Sequence, residues 1–175
     1  MMTPIVHDGV MFALSSGDVV QAIDATTGDL LWAYQHELEG ENPSESKKGV
    51  AIWEDKIIVG TSDVKLIALE AKTGRLAWEH KIDTNDEPDH RFKSAPMIVN
   101  DKAIFGLVGQ MAVAGGNFIV AIDLNSGEEA WRFYTIARPD ELYGNSWNGL
   151  SLEERTGGSV WTPGSYDPDT NLVYF

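Results

Sequence analysis

The chain has 175 residues, 27 of them acidic and 13 basic, for a net charge of −14, and it contains no cysteine. Such a charge disfavours nucleic acid and anionic lipid as partners, because both repel a polyanion. The lack of cysteine excludes disulfides, thiolate metal sites and a cysteine nucleophile. Six Trp, five Tyr, six Phe and 17 Gly favour an all-β fold of short strands and tight turns. No apolar run approaches the roughly 18 residues of a membrane-spanning helix. The start, MMTPIVHDG, has no basic stretch followed by an apolar one, so no signal peptide is legible.

In chain order, the first predicted unit opens with TPIV and VMFAL, joined across His7, Asp8 and Gly9. It continues into VVQAID and then LLWAYQ. The second unit pairs GVAIW with KIIVG across Glu54 and Asp55, followed by VKLIALE and LAWEHK. The third pairs APMIV with AIFGL across Asn100 and Asp101, followed by NFIVAID and AWRFYT. A fourth begins with SVWTPGSY and VYF across the segment 167–171. Three loops rich in Asp, Glu, Asn, Pro and Gly leave these units: His36 to Lys48, Lys81 to Phe92, and Ile136 to Gly158. The last exceeds ordinary connection length, a property of functional loops.

One motif recurs in the first three units: Ala-x-Asp/Glu-x-x-Thr/Ser-Gly-x-x-x-Trp. It occupies 22–32 as AIDATTGDLLW, 68–78 as ALEAKTGRLAW and 121–131 as AIDLNSGEEAW. The copies start 46 and 53 residues apart, a period that suits one four-stranded propeller blade. The acidic residue and the Thr or Ser accept backbone N–H groups in a tight turn. Gly28, Gly74 and Gly127 follow where positive φ is expected. Trp32, Trp78 and Trp131 are expected to pack against a neighbouring blade. The blades are predicted at about 3–35, 49–80 and 94–135, with half of a fourth at 157–175. An open arc leaves apolar faces and strand edges uncovered, so the chain reads as part of a longer protein.

These tryptophan-containing repeats resemble those of the quinoprotein alcohol dehydrogenases, bacterial enzymes that use pyrroloquinoline quinone (PQQ). The likeness is most specific in SAPMIVNDKAIFG at 94–106, GGNFIVAIDLNSGEEAWRFYTIARP at 115–139 and TGGSVWTPGSYDPDTNLVYF at 156–175. It implies an eight-bladed β-propeller, exported to the periplasm. PQQ and calcium lie near its axis, and an alcohol is oxidised with electrons passing to the quinone and on to an acceptor such as a cytochrome. By the same resemblance Trp161 forms the floor under the quinone and Ser159 lies near its edge. Lys48 and Lys93 stand where the family has an Arg and a Thr that contact PQQ. Met111 occupies the position of a calcium-ligating Glu, and a thioether is a poor ligand for that hard ion. Val108 replaces a family Ser. Asn42 and Pro43 replace a cysteine pair that many members carry. The family's catalytic Asp falls beyond Phe175.

Other residues invite plainer readings. The segment from Asp167 to Asn171 has the opening spacing of a calcium loop but lacks its later Gly and Glu, and reads as a β-turn. His7, His36, His80 and His90 lack metal-ligand spacing and read as surface or strand-end residues. Glu141, Glu153, Glu154 and Arg155 read as a solvated face. Beside the enzyme reading stands a non-catalytic propeller scaffold that binds partners through its blade loops, favoured by Met111, Val108 and the Asn42–Pro43 pair. A sugar- or polymer-binding propeller is a third.

Overall fold

The computed structural model describes residues 2–38, 49–84, 90–109 and 113–175. The motif turns explain why the strands stop where they do. In the first, the N–H of Gly28 donates to Asp24 O at 2.8 Å, and the amides of Thr26 and Thr27 donate to the Asp24 carboxylate at 2.8 and 3.0 Å. Gly28, Gly74 and Gly127 have φ of 81°, 72° and 75°, where a Cβ is strained. Each turn is also tied sideways within its blade. The N–H groups of Ala25, Ala71 and Leu124 donate to the carbonyls of Gly9, Asp55 and Asp101, at 2.8, 2.8 and 2.9 Å.

These turns join antiparallel strands into blades. Blade 1 holds β1 (Ile5–His7), β2 (Val10–Ser15), β3 (Val19–Asp24) and β4 (Leu30–Gln35), in that order. Blade 2 repeats this with β5 (Ala51–Trp53), β6 (Lys56–Gly60), β7 (Lys65–Glu70) and β8 (Leu76–Lys81). Blade 3 has β10 (Met97–Val99), β11 (Lys102–Gly109), β12 (Phe118–Asp123) and β13 (Glu129–Tyr134), and β9 (His90–Phe92) as a fifth strand. A two-stranded hairpin follows, β14 (Ser165–Asp167) with β15 (Leu172–Tyr174). All pairings are antiparallel, and each third strand shifts register against the fourth at the motif. The first strands lie innermost, where β5 touches β10 and Thr3 bridges Gly49. No helix among the described residues is long and apolar enough to cross a membrane.

The core lies between blades. Phe12, Leu14, Val20 and Ala22 of blade 1 pack on Ile57, Val59, Ile67 and Leu69 of blade 2. Ile58, Leu66 and Ala68 point the other way, onto Phe92, Phe105, Phe118, Val120 and Ile122 of blade 3. Alternate residues of one strand therefore serve two interfaces. This is why VKLIALE and NFIVAID run apolar without alternation. A smaller cluster joins Ile104, Ile119 and Ala121 to Val160, Tyr166 and Val173 of the hairpin unit.

Several expectations change. The long β11 pairs first with β10 and then with β9 on the same side, so blade 3 begins at His90 rather than near 94. In SVWTPGSY only the last two residues join β14. Pro163 and Gly164 interrupt the strand, and Val160 is instead drawn into the core. His36 and His90 are buried. The Nε2 of His36 lies 3.1 Å from the Asp63 carboxylate of blade 2, and the His90 ring sits 5.0 Å from that of Phe118. Arg155 is buried as well. The 167–171 segment is a turn, with Thr170 Oγ1 donating to Asp167 Oδ2 at 2.8 Å.

The tryptophans hold the arc together. Trp32 Nε1 donates to Ala71 O at 3.0 Å, reaching from blade 1 into the motif turn of blade 2. Trp78 packs on the core shared by blades 2 and 3. Trp53 Nε1 donates to Asp101 Oδ1 at 3.1 Å, an interblade bond that the repeat pattern does not mark.

Candidate cofactor site

Loop 136–158 leads from the outer strand of blade 3 to the glycine pair that precedes Trp161. Two guanidinium groups shape it. Arg155 donates through Nε and Nη2 to Leu150 O, at 3.1 and 3.0 Å, and through Nη1 to Ala137 O at 2.9 Å. Arg138 donates through Nη1 to Gly115 O at 2.5 Å and lies 3.6 Å over the Tyr134 ring. A 3₁₀ turn at Leu152–Glu154 completes the loop. There the Ser151 amide donates to the Glu154 carboxylate at 2.9 Å and holds it below the ordinary range.

The segment from Gly157 to Trp161 is then fastened to blade 3. Asn117 Nδ2 donates to Gly157 O at 2.8 Å. Gly158, with φ of 66°, lies against Thr135, where a Cβ would collide with the hydroxyl. Val160 occupies the space that a Cβ on Gly106 would need. Trp161 emerges from this anchored backbone with its side of the chain open to solvent, 57% exposed. An exposed indole on a fixed backbone offers an apolar platform for a flat ring. Ser159, two residues before it, is also exposed.

Lys93 directly follows β9, whose Phe92 pairs with Leu107. That register sets Lys93 beside Gly106, the residue against which Val160 rests. Lys93 is half-buried, and its neighbour Ser94 is buried with an Oγ that has no hydrogen-bond partner among the described residues. A cation, an unsatisfied hydroxyl and an indole platform suit an anionic aromatic ligand such as PQQ. Lys48, Met111 and the Asn42–Pro43 pair lie outside the described residues. Val108 is half-buried in β11 opposite Arg91. The described residues hold no grouping of three or more His, Cys, Asp or Glu that would suit a metal ion.

Sequence reasoning missed Asn117. Its side-chain Oδ1 accepts the Gly109 amide at 2.7 Å while Nδ2 reaches Gly157. Its carbonyl accepts both the amide and the hydroxyl of Thr135, at 3.0 and 2.9 Å. The only hint in the sequence is a polar residue at the head of the apolar run FIVAID.

The family described as PQQ: glucose/ethanol/alcohol dehydrogenase, beta-propeller domain, matches residues 1–175. Quinohemoprotein alcohol dehydrogenase ADH-IIG of Pseudomonas putida is 35% identical over 188 residues, covering 98% of this chain and 26% of that protein. The solved structure of ADHIIG from Pseudomonas putida HK5 superposes with a TM-score of 0.84 at 34% identity, covering 98% of this chain and 27% of that one. The quinohemoprotein alcohol dehydrogenase of Comamonas testosteroni does so with a TM-score of 0.80 at 28% identity, covering 98% and 28%. The chain spans about a quarter of the length of these relatives.

Proposed function

The chain belongs to the PQQ β-propeller family of glucose, ethanol and alcohol dehydrogenases, and from that premise we propose that it carries the floor of a PQQ site in an alcohol-oxidising propeller. The observation that carries this reading is Trp161, 57% exposed on a backbone tied to blade 3. When bound, PQQ supplies the acceptor for the two electrons of alcohol oxidation. The residues of this chain bind and orient it. Trp161 offers its face to the ring, and the Ser159 hydroxyl lies two residues from that platform. Lys93, and Lys48 from the first long loop, supply positive charge to an anionic ligand in an otherwise acidic chain. A lysine does this as a point charge, without the fork of an arginine.

The full activity belongs to a closed ring that includes this arc. Its proposed substrate is a small alcohol, its proposed electron acceptor a cytochrome or similar carrier, and its proposed compartment the periplasm, all by family resemblance. Titration of the chain with PQQ tests the cofactor reading through tryptophan emission. Saturable quenching is expected, most of it lost in Trp161→Ala. Quenching that is unchanged in that variant removes Trp161 from the site. Within a closed ring, Lys93→Ala is expected to weaken PQQ binding by about tenfold, the scale of one charge-assisted hydrogen bond. An unaltered dissociation constant would remove Lys93 from the site.

A further inference from the structure

Asn117 stands where three pieces of backbone meet. It precedes β12, and its carbonyl takes the Thr135 amide at the end of β13. Asp18 and Val64 hold the same place in blades 1 and 2, where their carbonyls take the amides of His36 and Ile82 at 3.3 and 3.0 Å. In blade 1 the side chain at this place reaches the next blade, since Asp18 Oδ2 accepts the Ser62 amide at 2.5 Å. In blade 2 it is apolar, and Val64 packs on the core. In blade 3 it is a carboxamide, 1% exposed.

The chemistry of its two partners explains the carboxamide. Gly109 N–H needs an acceptor and Gly157 C=O needs a donor, and both are met at hydrogen-bond distance. Asn meets the two partners with separate atoms, Oδ1 accepting and Nδ2 donating, whereas an ionised Asp of the same shape can only accept. The same residue fixes Thr135, and Thr135 is what Gly158 rests against. Both glycines ahead of Ser159 are therefore set by Asn117, one directly and one through Thr135.

We propose that Asn117 is a positioning residue for the Trp161 platform, locking the Gly157–Gly158 pair to the end of β11 so that the indole is held ready for a ring to stack on it. The bond runs 40 residues along the sequence and joins two segments that converge on the cofactor floor. The stacking half of this inference rests on the PQQ reading; the hold on the indole does not.

The test uses the 175-residue chain labelled with 5-fluorotryptophan and read by fluorine NMR, with the Trp161 line identified by its loss in Trp161→Phe. In Asn117→Asp the shape is kept but a carboxylate faces the Gly157 carbonyl. The Trp161 line is expected to shift and narrow while the Trp32 line stays in place, and the PQQ dissociation constant should rise at least about tenfold, the scale of losing a buried hydrogen bond. Gly106→Ala, which crowds Val160 from the opposite side, is expected to move the same line without touching Asn117. A Trp161 line unmoved in Asn117→Asp overturns the inference. So does a common shift of all tryptophan lines, which marks a general structural role. A selective Trp161 shift, together with no PQQ binding by a closed ring that includes this arc, supports the hold on the indole and overturns the cofactor reading.

Discussion

Gly74 carries two constraints at once. Its φ is 72°, and an added Cβ would stand 2.5 Å from Trp32 Cε3. Gly28 has nearly the same backbone, with φ of 81°, yet nothing lies within 4 Å of its Cβ position. The pair separates backbone strain from tryptophan docking. Gly28→Ala should cost about 1 kcal/mol, from strain alone. Gly74→Ala should cost about 1–3 kcal/mol more, because the Trp32 ring is displaced. Urea denaturation of the two variants measures the difference, and equal losses would mean that the ring is not packed on Gly74. The motif carboxylates give a second residue-level expectation. Hydrogen bonds from the Thr27 and Thr26 amides hold Asp24 below the ordinary carboxylate range. Those from Ser126 and Asn125 do the same for Asp123, and the Thr73 hydroxyl and Arg75 do so for Glu70. A group depressed in the folded state stabilises it above the unfolded value and loses that contribution as pH falls through the folded one. The melting temperature should therefore drop below about pH 4, the ordinary carboxylate value. Asp24→Asn and Asp123→Asn should flatten that drop, and an unchanged acid limb would assign it to other groups.

At the scale of elements, the strands were legible because each sits in a layered stack. Where a strand has blades on both sides it reads as an unbroken apolar run, as in LIAL of β7. In blade 1 the third strand, VVQAID, is interrupted by Gln21. The fifth strand, β9, was not legible. Its three residues, His90, Arg91 and Phe92, are too short for a period to show, and it exists because β11 overhangs β10. The inner start of the fourth unit, SVWTPGSY, reads as a strand because it stands before the turn at 167–171 and VYF. A buried Val160 fills that place equally well in an irregular segment. The loop 136–158 reads from composition as polar and exposed, whereas its order comes from a buried Arg155 bonded to carbonyls. Arg155→Met should lower stability by roughly 2–3 kcal/mol, as expected for bonds to a charged donor. It should also open the loop to proteolysis between 139 and 150 while the blades stay resistant. Cleavage no faster than in the parent chain would mean that Arg155 does not hold the loop.

For the whole molecule, charge and apolar surface pull against each other. Phe133 is 63% exposed and Trp131 37%, both on the outer strand of blade 3, while the net charge is −14. Screening should unmask the apolar face, since the Debye length shrinks from about 30 Å at 0.01 M salt to about 3 Å at 1 M. Light scattering of the chain should rise with ionic strength, and Phe133→Lys should suppress the rise. Scattering that is independent of salt would rule this balance out. The Gly-Gly-x-x-Trp segment proposed as the cofactor floor is legible in the sequence, because it is a local pattern. Asn117 was not, because its role depends on a carbonyl 40 residues away. Distance along the chain has a further consequence at Trp32. Its acceptor, Ala71 O, lies 39 residues downstream. A ribosome adding about 5–20 residues per second needs about two to eight seconds to deliver it. During synthesis the Trp32 latch thus stays open until the next blade has emerged.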